Sequence, residues 1–145
     1  EVVREPWLEL KKAAANDGIK ISIVSAYRSV SDQRGLFLSR LRAEGVNIAD
    51  VEAGIADSEI DAVLITSSIP GYSKHHTGYT FDLLCAGYQF ENFVNSPCNE
   101  WIVANNYEKA KMFGFIPSYP PDAQLQGPAP EAWEYVWVGT ELLYK

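Results

Sequence analysis

The stretch GYSKHHTGYTFDLL, from Gly71 to Leu84, passes from a turn-rich segment into a strand. Its first half lies in the segment SSIPGYSKHHTG, residues 67–78, which is dense in Ser, Pro and Gly and reads as an ordered loop or series of turns. Its second half alternates, with Tyr79, Phe81 and Leu83 on one face and Thr80 and Asp82 on the other. The stretch also holds the only two histidines of the chain, His75 and His76. On one regular strand His75 and Asp82 would point to opposite faces. Gly78 between them lets the chain fold back, so that both can aim at one ion from a loop and a strand. Imidazole and carboxylate suit zinc, and a catalytic zinc takes three protein ligands and keeps one position open. The ordinary alternative is a loop histidine beside an aspartate that bonds backbone.

Outward from this stretch, helices and strands mix without a regular β-α-β rhythm. Trp7 to Asn16 has apolar residues at helical spacing (Trp7, Leu8, Leu10, Ala14), with Gly18 just past the end. Ile19 to Ser25 is β-branched and predicts a buried strand. Ser29 or Ser31 caps a second helix carrying Leu36, Phe37, Leu38 and Leu41, stopped by Gly45. A weaker helix is expected over about Ile48–Ser58. Trp101, Ala104, Tyr107 and Met112 place another helix before Gly114. IPSYPPDAQLQGPAP holds five of the eight prolines and predicts an irregular loop. EAWEYVWVG, residues 131–139, reads as the last strand. Without repeat or linker, residues 1–145 are expected to form a single α+β domain, a small antiparallel sheet flanked by helices.

The 145 residues suffice for one hydrophobic core. A formal charge of −7 excludes nucleic acid as a natural partner, since phosphate contacts need clustered Lys and Arg. No apolar run reaches the ~20 residues of a membrane span. The first residues, EVVREP, lack the pattern of a signal peptide. Cys85 and Cys98 permit one disulfide or two free thiols, and the sequence leaves this open.

Three further residues bear on chemistry. Arg28 stands where a buried strand gives way to a helix, a place that holds a guanidinium rigidly at a cleft, where it can bind a carboxylate through two parallel hydrogen bonds. A surface salt bridge is its ordinary alternative. Glu131 and Glu134 lie near the last strand, on opposite faces under strict alternation. Glu131, following Pro130, can instead belong to the loop and turn inward, where a carboxylate serves as general base. Trp133, Tyr135 and Trp137 read as core packing.

Taken in order, SAYRSVSDQ, PGYSKHHTGYTFDL, WIVANNYEKAKMFGFIPSYP and PEAWEYVWVG resemble the VanY-type D-alanyl-D-alanine carboxypeptidases, zinc peptidases that share a fold with the hedgehog signalling domain. The likeness runs from about Ile21 to Gly139 and rests on Tyr-Arg-Ser-x3-Gln, Ser-x-His-x2-Gly-x3-Asp and Glu-x-Trp in the family's order. It implies His75 and Asp82 as zinc ligands and Glu131 as the base that takes a proton from the attacking water. It implies Arg28 as the group stabilising the substrate's carbonyl oxygen or terminal carboxylate, with Gln33 and Ser73 lining the substrate pocket. The implied partner is the peptidoglycan stem peptide, trimmed of its terminal D-alanine by a monomer in the bacterial envelope, periplasmic or extracellular.

One departure from the family matters. Its last motif reads Glu-x-Trp-His, and that His is the third zinc ligand; here Glu134 stands in its place. Three arrangements follow. In the first, Glu134 itself binds the ion, giving one imidazole and two carboxylates, a weaker Lewis acid that favours harder ions such as Mn²⁺ or Mg²⁺. Alternatively His76 swings in and Glu134 supports it, although adjacent side chains diverge in extended backbone. In the third arrangement the site holds no metal, and the protein binds wall peptides without cutting them. Retention of Arg28, Gln33, Ser73, His75, Asp82 and Glu131 fits the first. An endopeptidase of the same family is a further possibility for the bond cleaved.

Overall fold

A computed structural model describes residues 1–120 and 129–144. Its centre is a four-stranded, wholly antiparallel sheet in the order β1-β2-β4-β3. The strands are β1 (Ile21–Ser25), β2 (Thr80–Cys85), β3 (Phe115–Pro117) and β4 (Glu134–Trp137). Among the described residues five α-helices accompany them: α1 (Arg4–Asn16), α2 (Val30–Ala43), α3 (Ile48–Glu52), α4 (Asp57–Leu64) and α5 (Pro97–Met112). The α+β architecture expected from the unpatterned order of elements is the one observed.

Alternation along β2 divides the two faces of the sheet. Phe81, Leu83 and Cys85 join Ile21, Phe115 and Tyr135 in the main core, against Leu10 and Ala14 of α1 and Ile102 and Ala110 of α5. Full burial of each such Leu, Ile or Phe contributes about 1.5–3 kcal/mol. The opposite face is not solvated: Thr80 and Asp82 are buried as well. A polar residue held on a buried face needs partners, and for Asp82 these come from the site described below. A smaller cluster, Leu41, Val46, Ala56 and Val63, ties α2 to α4.

Several local expectations change. The helix expected over Ile48–Ser58 is two helices, α3 and α4, separated at Gly54, whose φ is +67°. Ser29 rather than Ser31 caps α2, in a reciprocal capping box with Asp32. α5 is interrupted, with Asn105, Asn106 and Tyr107 in left-handed backbone, so Met112 is exposed and the buried positions are Cys98, Ile102 and Ala110. The proline-rich segment is not irregular throughout, because it supplies the short edge strand β3; its residues 121–128 lie outside the described residues. The last strand is only Glu134–Trp137, because 131–133 form a turn in which the Glu134 N–H donates to the Glu131 carbonyl at 3.2 Å.

Two devices fix the sheet to its surroundings. Cys85 and Cys98 form a disulfide, joining β2 to the start of α5 and resolving the choice the sequence left open. Gly114, at φ +86°, lies where a Cβ would fall 2.8 Å from Trp137 Nε1 and 3.0 Å from the Gly139 backbone. That close approach lets the Trp137 indole donate to the Phe113 carbonyl at 3.1 Å. Among the described residues no helix is long and apolar enough to cross a membrane.

Candidate metal centre

Register, rather than sequence proximity, assembles the centre. The antiparallel pairing sets Glu134 of β4 directly opposite Asp82 of β2, and Asp82 opposite Ser25 of β1. A short 3₁₀ turn, Lys74–Thr77, then carries His75 over the same face. Ser73 caps this turn by accepting from the His75 N–H at 3.3 Å, and Gly78 closes it in left-handed backbone at φ +74°. The turn is tied to the end of β1, where the His75 ring Nδ1 donates to the Ala26 carbonyl at 2.7 Å. That bond fixes the neutral tautomer so that Nε2 faces Asp82 and Glu134. Nε2 lies 3.3 Å from Asp82 Oδ1 and 3.4 Å from Glu134 Oε2. One ligand atom from each of the three residues lies within 4.8 Å of the others, and all three residues are buried.

The donor set fits a divalent cation. Asp82 Oδ1, on the side of the cluster, is buried without a hydrogen-bond donor, a state that costs about 1–3 kcal/mol or more when left unmet. Glu134 Oε1, also without a hydrogen bond, has the Lys74 ammonium 3.5 Å away. His76, by contrast, spends both ring nitrogens on backbone. Its Nδ1 donates to the Arg28 carbonyl at 2.6 Å, and its Nε2 accepts from the Gly71 N–H at 3.1 Å. It braces the loop and has no lone pair left for an ion.

Charges in the metal-free centre are strongly perturbed. Burial opposes ionisation of His75, but the adjacent Asp82 and Glu134 carboxylates outweigh it, and the imidazole pKa rises to about 10. Burial likewise opposes ionisation of Glu134, yet hydrogen bonding from His75 and the charge of Lys74 hold its carboxyl at about 2. Glu131 goes the other way: burial, then the negative charge of Glu134, push it up to about 8. Two glutamates three residues apart are thus driven in opposite directions, one kept ionised and one kept near neutrality.

All three residues line a cavity of about 580 Å³ together with Arg28, Ser73 and Glu131. The sequence matches the family described as VanY: D-alanyl-D-alanine carboxypeptidase over residues 1–140. The chain belongs to that family. A D-alanyl-D-alanine carboxypeptidase of Enterococcus faecalis (strain ATCC 700802 / V583) is 30% identical over 148 residues, which cover 97% of this chain and 48% of the relative. The chain therefore spans about half the length of that relative. Among solved structures, a mutant of the vancomycin-resistance D,D-pentapeptidase VanY from a VanB-type cassette, in complex with Zn(II), superposes with a TM-score of 0.71. It is 25% identical, with 96% of this chain and 72% of that one covered. VanYB in complex with D-alanine-D-alanine has the same fold, at TM-score 0.71 and 24% identity, with 97% and 71% covered.

Within this VanY-family chain the remaining expected residues take distinct places. Arg28 faces the cavity, its guanidinium donating to Gln33 Oε1 at 2.7 Å and to Ser25 Oγ at 3.2 Å. Gln33, expected to line the pocket, instead lies behind Arg28, only 1% exposed, and does not border the cavity. Its amide donates to Ser68 O at 2.6 Å and Ser67 Oγ at 3.2 Å. α2 thus carries Gln33 inward as a brace for the arginine. Ser73 does border the cavity, but its hydroxyl is engaged in capping the histidine turn. Glu131 reaches the cavity because it precedes β4 and escapes strand alternation. Trp133, expected in the core, also borders the cavity, packed against Phe90 at 4.5 Å between ring centroids. Sequence inspection passed over Lys74, Ser118 and Tyr119, which gather beside Glu134. The one signal available was the place of Lys74 inside the histidine motif.

Proposed function

We propose that this chain is a metal-dependent carboxypeptidase that removes the terminal D-alanine from peptidoglycan stem peptides in the bacterial envelope. The observation that carries this is the convergence of His75, Asp82 and Glu134 on one point of a cavity that Arg28 and Glu131 also face. His75 Nε2, an Asp82 oxygen and a Glu134 oxygen would hold the ion. A divalent ion bound there supplies a Lewis acid at the scissile carbonyl and a lowered pKa for water.

The chain's own groups supply the rest. Arg28, fixed by Gln33 and Ser25, presents its guanidinium to a carboxylate or carbonyl oxygen of the peptide end. A C-terminal carboxylate on that fork orients the last peptide bond over the centre and accounts for removal of an end residue. The Glu131 carboxylate takes the proton of the attacking water and returns it to the amine of the departing D-alanine. Its raised pKa suits a group that must hold a proton between these two transfers. The Trp133 and Phe90 rings form an apolar wall of this space.

Incubation with a pentapeptide ending in D-Ala-D-Ala, with zinc or manganese added, should release free D-alanine. Glu131→Gln should lower turnover at least about 100-fold while metal affinity survives. Metal binding without amine release would assign the chain to peptide binding instead, and an internal cut seen by mass spectrometry would make it an endopeptidase. Loss of the metal in Glu131→Gln would mean that the two glutamates had exchanged roles.

A further inference from the structure

The two oxygens of Glu134 face different neighbours. Oε2 points to His75 Nε2 at 3.4 Å, inside the ligand cluster, while Oε1 lies 3.5 Å from Lys74 Nζ. The lysine is not a loose surface side chain that happens to reach a carboxylate. Its ammonium donates to Ser118 Oγ at 2.9 Å and Ser118 O at 3.4 Å, and sits 3.7 Å from the centroid of the Tyr119 ring. Ser118 is itself fixed to Glu134, its N–H donating to the Glu134 carbonyl at 2.9 Å. One cation is therefore held on the outer side of the one ligand that is a glutamate, by an edge strand, an aromatic face and the carboxylate together.

Charge counting gives this arrangement a consequence. A divalent ion held by a neutral imidazole and two carboxylates forms an electrically neutral centre, poor at polarising a carbonyl. An ammonium on the far oxygen of one carboxylate withdraws electron density from that ligand and restores one positive charge to the centre. We propose that Lys74 is a charge-compensating positioning residue, which tempers Glu134 as a metal ligand and preserves the electrophilicity of the bound ion. This rests on the metal-centre assignment above and adds a residue to it. Its cost is affinity, since the same cation repels the metal.

The sign of the effect separates compensation from simple support. If Lys74 only held the Glu134 side chain in place, its removal would weaken metal binding. If it compensates charge, removal strengthens binding and slows catalysis. The test is direct titration of the full chain with zinc(II) and with manganese(II), in competition with a chromogenic chelator, for wild type, Lys74→Met, Lys74→Gln and Lys74→Arg. Lys74→Met and Lys74→Gln should bind about three- to tenfold tighter, the range for one partly screened charge near an ion. Lys74→Arg should stay within twofold of wild type, and kcat of the metal-saturated Met variant should fall. Unchanged or weaker binding in both neutral variants, with wild type binding normally, overturns the compensation while leaving the metal centre standing. A wild-type chain that binds neither ion overturns both. The side chain of Lys74 is 40% exposed, so these variants leave the core undisturbed.

Discussion

Replacing Gln33 by leucine separates the support of the site from the site itself. The glutamine is 1% exposed and makes three side-chain hydrogen bonds: it accepts from Arg28 Nη1 at 2.7 Å and donates to Ser68 O at 2.6 Å and Ser67 Oγ at 3.2 Å. Leucine has nearly the same volume, so no large cavity opens. The bond to the guanidinium contributes about 1.5–3 kcal/mol and each neutral bond about 0.5–1.5 kcal/mol, which together come to about 2.5–6 kcal/mol. Burying an apolar side chain offsets part of this, about 1–2 kcal/mol. The expected net loss is therefore about 0.5–5 kcal/mol, centred at about 3 kcal/mol, read from urea denaturation of the metal-free chain. In the same variant Arg28 keeps only its contact with Ser25 Oγ, so kcat/KM on the stem peptide should fall about 10–100-fold, mostly through KM. Metal affinity should not move, because Gln33 touches none of the three ligands. A loss below about 0.5 kcal/mol with unchanged KM would refute the idea that α2 braces the arginine through this residue.

Two other outcomes follow from the structure. Replacing Cys85 and Cys98 together by serine opens a loop with a sequence separation of 13 and should cost about 3 kcal/mol, seen as a fall in the denaturation midpoint equal to that of the reduced wild type. The metal-free chain should lose stability as pH rises. Glu131, with pKa raised from 4.5 to about 8, and His75, raised from 6.5 to about 10, both bind more protons folded than unfolded across these intervals. The stability they contribute is full below 4.5 and 6.5 respectively and is lost as pH rises through about 8 and then about 10, while Glu134, lowered from 4.5 to about 2, acts the opposite way only below 4.5. Denaturation midpoints measured in chelator across this range check it, and a midpoint that rises with pH would contradict the arrangement of the cluster.

Much of the site was legible because its residue types sit at fixed spacing in local motifs. Ser73, His75, Gly78 and Asp82 occupy one turn and the strand that follows it, and their geometry comes from a cap, a left-handed glycine and strand alternation. Such local rules act within a few residues and leave a mark in the sequence. Glu131 and Glu134 were harder, since strict alternation would have split them between faces. The turn at 131–133 starts the strand three residues late and brings both glutamates to one cavity. A boundary of that size depends on hydrogen bonds across the sheet, which periodicity does not encode. Gln33 was recognised by its place in a motif, yet its position behind the arginine depends on the packing of α2 against the 67–68 segment.

By itself, then, the sequence determined an α+β chain with an antiparallel sheet, a histidine turn feeding an aspartate-bearing strand, and a glutamate where the family's third ligand is a histidine. Only the tertiary structure decided where that glutamate stands. The register of β2 against β4 sets it opposite Asp82, with one oxygen toward His75 and the other toward Lys74. The fold also spends both ring nitrogens of His76 on backbone, which leaves that residue no lone pair to offer an ion. Both results come from contacts between segments far apart in the chain, whose strength depends on distance and burial that only the folded sheet creates.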